Sequence, residues 1–332
     1  MVKEDMKSVV KKLDLDKIVS KAQGAYGKDK GLAMKISTGK SISRPHKDDD
    51  FILWENSPWS MLTGIRGLPF GYICQVAGKP DSGKSTTAAE FMKRAQDQGV
   101  VVILWDAENK FSAERFDTHF KGRSEDLLIT RSKMILEGGD QIEKLVHAVM
   151  DEDPDARILI VWDSVGGTLS KSEGENSLLE GKQLAGAPKD NGQVMRAFVR
   201  LIEQYKDKEN NKERIAVFLI NQVYANIGSV GSTESGGVKV QFHSSIILQL
   251  TRKADLNKQK DGVMIKTGIV SRAKVKKNHL FEGEYSVAEL DLVFTAGGIS
   301  LLSEKKTKKV KDKNASSDWG DTTDNVVEET DE

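Results

Sequence analysis

With one cysteine, Cys74, the chain cannot close a disulfide on itself, and the place of that cysteine in an apolar stretch reads as a small buried hydrophobe. Long hydrophobic runs are lacking as well. No stretch reaches the ~18 apolar residues of a membrane span, and residues 1–20 are charged throughout. Neither a spanning helix nor a signal peptide is expected, so the chain reads as cytosolic, with no membrane partner. An excess of either charge is missing too. Lys and Arg total 50 and Asp and Glu total 50, so any case for a nucleic-acid partner must come from local clusters.

What is present begins with Gly78-Lys79-Pro80-Asp81-Ser82-Gly83-Lys84-Ser85, between an apolar stretch at 72–77 and a helix-forming stretch at 86–98. This fits GxxxxGK[ST]. Gly78 and Gly83 let the backbone curl so that successive N–H groups face one phosphate, and the helix start adds its partial positive charge. Lys84 is expected to reach the β- and γ-phosphates and Ser85 to hold Mg²⁺, with Pro80, Asp81, Ser82 and Thr86 completing the loop. A plain glycine-rich turn is the alternative. The flanking strand and helix argue against it.

Apolar residues at three- and four-residue steps from Met6 to Ile18 predict an amphipathic helix, followed by a glycine-containing connector and a short strand-like segment at 31–36. Such pieces cannot bury themselves alone and call for a partner surface. Strands at 71–77, 100–105, 127–130, 157–162 and 215–220 then alternate with helices at 84–98, 111–120, 139–151 and 189–206. This pattern predicts βαβ units and a parallel sheet. Later strand-like stretches at 245–251, 262–275 and 285–294 have no helices between them, which predicts an antiparallel extension. The expected division is an N-terminal segment at 1–50, a core at 51–303 and a lysine-rich, then acidic, disordered tail at 304–332.

Polar residues fall where such a sheet places its ligand, at the carboxyl ends of strands. Asp163 ends an apolar strand and suits the second Mg²⁺-ordering acid, against a merely solvated carboxylate. Asp106-Ala107-Glu108 ends another strand; Glu108 is a candidate to polarise an attacking water, with Asp106 as competitor. Asn221-Gln222 ends the 215–220 strand and opens a Gly- and Ser-rich segment at 223–240. An amide there can sense a γ-phosphate, or simply belong to a turn.

In this order and spacing the phosphate loop, Leu104-Trp105-Asp106-Ala107-Glu108, Val161-Trp162-Asp163-Ser164-Val165, Phe218-Leu219-Ile220-Asn221-Gln222 and Gly236-Gly237 resemble the RecA recombinase family, with Gly67-Leu68-Pro69-Phe70-Gly71 as lead-in. The likeness covers about residues 20–298, and the short charged tail is similar to phage-type members. It implies an α/β fold with a RecA-like P-loop NTPase core, a mostly parallel sheet flanked by helices, an antiparallel C-terminal extension and a small N-terminal helix-plus-strand oligomerisation segment. It further implies a DNA-dependent ATPase using ATP and Mg²⁺, forming helical filaments of its own copies on single-stranded DNA and pairing it with homologous duplex. Single-strand-binding and loader proteins are expected partners. A recombination mediator and a ring-forming motor or loader are the alternatives on the same core.

The resemblance implies that Glu108 activates water and that Gln222 couples nucleotide state to DNA. It makes 170–190 and 223–240 the DNA-contacting loops, short of apolar anchors and mobile without DNA, with Lys171, Lys182, Lys189, Arg196, Tyr224, Gly236, Gly237 and Lys239 as candidates. A solvated role is the alternative for each lysine. Lys277 corresponds to the first of two lysines that face the neighbouring subunit's ATP, and His279 stands in place of the second, which would make part of the activity pH-sensitive. Arg115 stands where bacterial RecA stacks a tyrosine on adenine, so base contacts do not carry over. The stretch 205–214 reads as an insertion without an assigned role.

Overall fold

The computed structural model describes residues 47–54, 57–175, 186–207, 210–225, 232–260, 262–280, 289–302 and 326–328, together with Lys17 and Ser20. The chain divides into two units, Met1–Pro45 and His46–Glu332. Apart from Lys17 and Ser20, both helical, the expected N-terminal helix and strand lie outside the described residues, as do Lys182 and most of the tail.

The second unit opens with strand β1 (Phe51–Leu53), helix α1 (Pro58–Thr63) and strand β2 (Gly67–Pro69). Ser57 caps α1 with Pro58 at its first position, and Gly64, at φ 69°, ends it in the left-handed conformation that glycine takes without strain. Then come β3 (Ile73–Gly78), α2 (Lys84–Asp97), β4 (Val101–Asp106), α3 (Ala113–His119), β5 (Leu127–Thr130), α4 (Ile135–Glu152) and β6 (Ile158–Asp163). They are followed by α5 (Lys171–Glu175), α6 (Gly186–Gln204), β7 (Ile215–Ala225), β8 (Ser232–Glu234) and α7 (Val238–His243). Last are β9 (Ile246–Lys260), β10 (Val263–Asn278), β11 (Glu289–Thr295), β12 (Gly298–Leu301) and the short β13 (Val326–Glu328).

The main sheet runs β12-β11-β10-β9-β3-β7-β6-β4-β5. From β9 to β5 every pairing is parallel, and from β9 to β12 every pairing is antiparallel. The alternation in the sequence predicts this arrangement, and the continuous apolar runs of β6 and of β7 up to Ile220 follow from burial on both faces. One face packs on α1 and α2, where Phe91 lies 4.9 Å from Phe218 and 5.2 Å from Trp54. The other packs on α4 and α6, which present Ile142, Val146, Met195 and Phe198 at helical spacing. There Trp105 and Trp162 stack at 4.2 Å, and a Cβ on Gly138 would lie 2.0 Å from Trp105, so α4 approaches the sheet only because that position has no side chain.

Four details differ from the expectation. The strand expected to stop at 220 continues to Ala225, because Ser232–Glu234 pairs with its end and supplies antiparallel partners. The 223–240 segment has an apolar anchor after all: Val240 is fully buried beside Gly236. The two C-terminal hairpin strands, β9 and β10, run 15 and 16 residues, longer than the apolar pattern, since half-exposed polar positions still satisfy the ladder. Within the tail expected to be disordered, Val326–Glu328 pairs in parallel with Asp255–Asn257. Among the described residues of the 205–214 insertion, Asp207 and Lys212 exchange backbone bonds, at the amino end of β7 and so at the opposite end of the sheet from the strand carboxyl ends. Among the described residues no helix is long and apolar enough to cross a membrane.

Candidate active site

Four strand ends meet at one edge of the sheet. The register pairs Gly78 of β3 with Gln222 of β7, and Asp106 of β4 with Asp163 of β6. An open parallel sheet holds its ligands at this edge.

The loop between β3 and α2 owes its path to two residues with positive φ, Asp81 at 55° and Gly83 at 97°. At Gly83 glycine is required twice, since a Cβ there would come within 2.6 Å of the Phe294 ring. Ser82 Oγ and Lys84 Nζ both donate to the Lys79 carbonyl, at 2.9 and 2.7 Å, which wraps the loop around the Lys84 ammonium. Burial lowers the pKa of Lys84, while Asp163, Glu108 and Asp81 work against that shift. Ser85 Oγ donates to Asp163 Oδ2 at 3.0 Å. Burial pushes the Asp163 carboxyl up to about 6; the Ser85 hydrogen bond opposes this, and the charges of Glu108 and Asp106 add to it. A hydroxyl and a carboxylate in contact form the hard oxygen pair that Mg²⁺ accepts, and a cation there favours the ionised carboxylate.

Glu108 is held from three sides. Ser164 Oγ and Gln222 Nε2 both donate to Oε1, the latter at 2.8 Å, and Lys110 Nζ donates to Oε2 at 2.5 Å. Burial raises the pKa of this carboxyl, but the hydrogen bonds and the Lys110 charge outweigh it and hold it below the ordinary glutamate range. Asp106 is spent differently. It is buried, accepts the backbone N–H groups of Lys110 and Phe111 at 3.0 and 3.2 Å, and has Arg131 at 3.6 Å. Asp106 therefore shapes the turn that carries Glu108, and Glu108 lines the cavity.

That cavity holds about 750 Å³. Pro80 to Thr86 line one end with Glu108, Lys110, Asp163 and Gln222; Arg115 and His119 of α3, Lys266 to Ile269 of β10 and Phe294 to Ala296 complete its walls. Arg115 also lies 5.9 Å over the Phe120 ring. Ser164 belongs to the motif at 161–165, which does not reveal its contact with Glu108, whereas Lys110 and His119 have no motif of their own. Their signal is adjacency: each follows a recognised strand end or sits one helical turn after Arg115.

Lys277 and His279 do not line this cavity of their own chain. Lys277 Nζ donates to the Gln241 and Phe242 carbonyls at 3.0 and 3.3 Å, meeting the carbonyl end of α7, and His279 is exposed. Of the candidates for DNA, Lys171 donates its backbone N–H to the side chain of Asp190, the residue after Lys189, at 3.1 Å. Arg196, Lys239 and Lys277 surround His243, whose pKa is lowered first by burial and then by these three cations. Lys239 lays its stem over Gly192 of α6, where a Cβ would lie 2.5 Å from its Cδ. Gly236 and Gly237, at φ 81° and 80°, lead into α7, and Tyr224 belongs to β7. The Gln222 backbone carbonyl accepts from Ser235 N at 2.9 Å, and Asn221 Nδ2 donates to the Ser235 carbonyl at 2.9 Å, so the cavity wall and the β7–β8 hairpin are one bonded unit.

Fold and site define the class: a mostly parallel α/β protein with a glycine-bounded loop between its first core strand and helix and acidic residues at the neighbouring strand ends. The family model of the RecA N-terminal domain matches residues 19–300, and the chain belongs to the RecA recombinase family. Protein RecA of Ureaplasma parvum serovar 3 is 32% identical over 222 residues, 66% of this chain and 60% of that protein. Protein RecA of Anaplasma marginale (strain Florida) is 30% identical over 306 residues, 91% of this chain and 77% of that protein. Protein RecA of Bdellovibrio bacteriovorus is 27% identical over 286 residues, covering 85% and 69%. The chain thus spans about three fifths of the length of the Ureaplasma relative.

Proposed function

We propose that this chain is a DNA-dependent ATPase that assembles on single-stranded DNA as a helical filament of its own copies, pairs that strand with homologous duplex and exchanges strands. In this reading Lys84 and the backbone N–H groups of the 79–85 loop hold the phosphates of ATP, with Ser85 and Asp163 on Mg²⁺. Bound Mg²⁺ offsets charge that builds on the phosphate oxygens. Glu108 accepts a proton from the attacking water, oriented by the donors on its Oε1. Arg196, Lys239, Lys171 and Lys189 hold DNA phosphates without reading sequence. Lys277 and His279 act on the ATP of the adjacent copy. Single-strand-binding and loader proteins would assist in the cytoplasm.

The observation that carries this reading is the 2.8 Å bond from Gln222 Nε2 to Glu108 Oε1. One side chain touches the proposed base and stands on the strand that runs on to Ala225 and the β7–β8 hairpin. Any DNA contact that shifts the hairpin therefore moves a donor on Glu108. The test is to incubate the protein with ATP, Mg²⁺, single-stranded DNA and homologous duplex. Joint molecules are expected, and only with homology. DNA-stimulated hydrolysis without joint molecules would make the chain a motor or loader instead.

A further inference from the structure

Lys110 stands two residues after the proposed base, and the backbone explains why its side chain turns back. Asn109 takes a left-handed φ of 53°, its N–H donates to the Asp106 carbonyl, and the Lys110 N–H is fixed on Asp106 Oδ1 at 3.0 Å. From that anchored point the side chain, 76% exposed, reaches Glu108 Oε2 at 2.5 Å. It also lines the cavity end that holds Lys84, Asp81 and Asp163. We propose that Lys110 is a γ-phosphate cation supplied in cis, paired with Glu108 in the absence of nucleotide and transferred to the terminal phosphate when ATP is bound, so that Glu108 is released as a base only then. This rests on the nucleotide reading above.

The charges in the cavity make the transfer favourable. A terminal phosphate carries more negative charge than one carboxylate and offers more acceptor oxygens, so an ammonium able to reach both prefers the phosphate. The Lys110 end of the pair is 76% exposed, so water solvates the ammonium as it moves, and the 17%-exposed Glu108 keeps its bonds from Ser164 and Gln222. The cavity that Lys110 lines is shared with Asp81 and Lys84 around the phosphate loop, Arg115 and His119 of α3, Asp163 at the end of β6 and Gln222 of β7, while Ser164 and Gln222 bond the other oxygen of Glu108. Lys84 is close enough to feel the Lys110 charge, and Asp163 and Asp81 act on Lys110. Two cations converging on one cavity end, with acidic partners between them, are arranged to flank a polyanion. When Lys110 leaves, Glu108 keeps Ser164 and Gln222 on Oε1 while Oε2 faces the cavity, as a base that accepts a proton from water requires.

The experiment compares the full-length chain with Lys110→Gln and Lys110→Arg by equilibrium binding of ADP and of ATPγS, a slowly hydrolysed analogue, in Mg²⁺. The exposure of Lys110 lets both variants fold, which circular dichroism checks. Lys110→Gln is expected to bind ATPγS about 10-fold more weakly and ADP within about 2-fold of the parent, while Lys110→Arg keeps the preference for ATPγS. Equal losses for both nucleotides, or none for either, would overturn the proposal and leave Lys110 as a surface ion pair. If the parent chain binds neither nucleotide, the nucleotide reading itself fails and this proposal falls with it.

Discussion

Glu108 accepts from Ser164, Gln222 and Lys110 at once, whereas the oxygens of Asp106 are taken by backbone N–H groups. Glu108→Gln keeps the shape and loses the base. ATP affinity is expected to stay within about 2-fold while single-turnover hydrolysis falls by about 100-fold or more. A variant that hydrolyses at the parental rate would pass the role to Asp106. At this scale the sequence shows residues fixed by strand ends: Lys84, Ser85, Glu108 and Asp163 lie at set offsets from buried apolar runs, and the sheet register brings them together. The contacts that Ser164 and Lys110 make with Glu108 are not legible, because they depend on how the backbone turns after the strand, through φ at Asn109 and the bonds of Asp106.

Among the elements, β10 and β11 carry a prediction about acid stability. Arg272 of β10 donates to both carboxylate oxygens of Asp291 on β11, at 2.8 and 3.0 Å, in directly paired register, and reaches Glu289 at 2.9 Å. These bonds hold the Asp291 carboxyl below its ordinary value of 3.8. A folded value below the unfolded one means that stability from this pair is present above pH 3.8 and is lost as pH falls through the lower folded value. Arg272→Ala should lower stability by about 1 kcal/mol at neutral pH, and the gap from the parent should close in acid, as read from urea unfolding. A gap of equal size at both pH values would assign the loss to packing of the arginine stem. The existence of these strands is readable from apolar runs, but not their length. The end of β7 and most of β9 and β10 are held by the backbone ladders of neighbouring antiparallel strands, β8 on β7 and β10 on β9, which form over polar positions that apolar patterning does not report.

For the whole molecule, the positions of Lys277 and His279 outside their own chain's cavity fit a site completed by a second copy. Lys277→Ala and Glu108→Gln should each hydrolyse ATP poorly on DNA. Mixed in equal amounts they should recover activity, because roughly a quarter of random head-to-tail interfaces combine both intact residues. No recovery in filaments shown to be mixed would leave Lys277 with its helix-capping contacts in its own chain. The central claim is that Gln222 joins the hairpin proposed to face DNA to the proposed base, and the most direct measurement is the ratio of hydrolysis rates with and without single-stranded DNA for Gln222→Ala and the parent. The account predicts that the variant binds ATPγS within about 2-fold of the parent while its ratio falls to about one, since the hairpin no longer touches Glu108. A variant that DNA stimulates as strongly as the parent would contradict the claim.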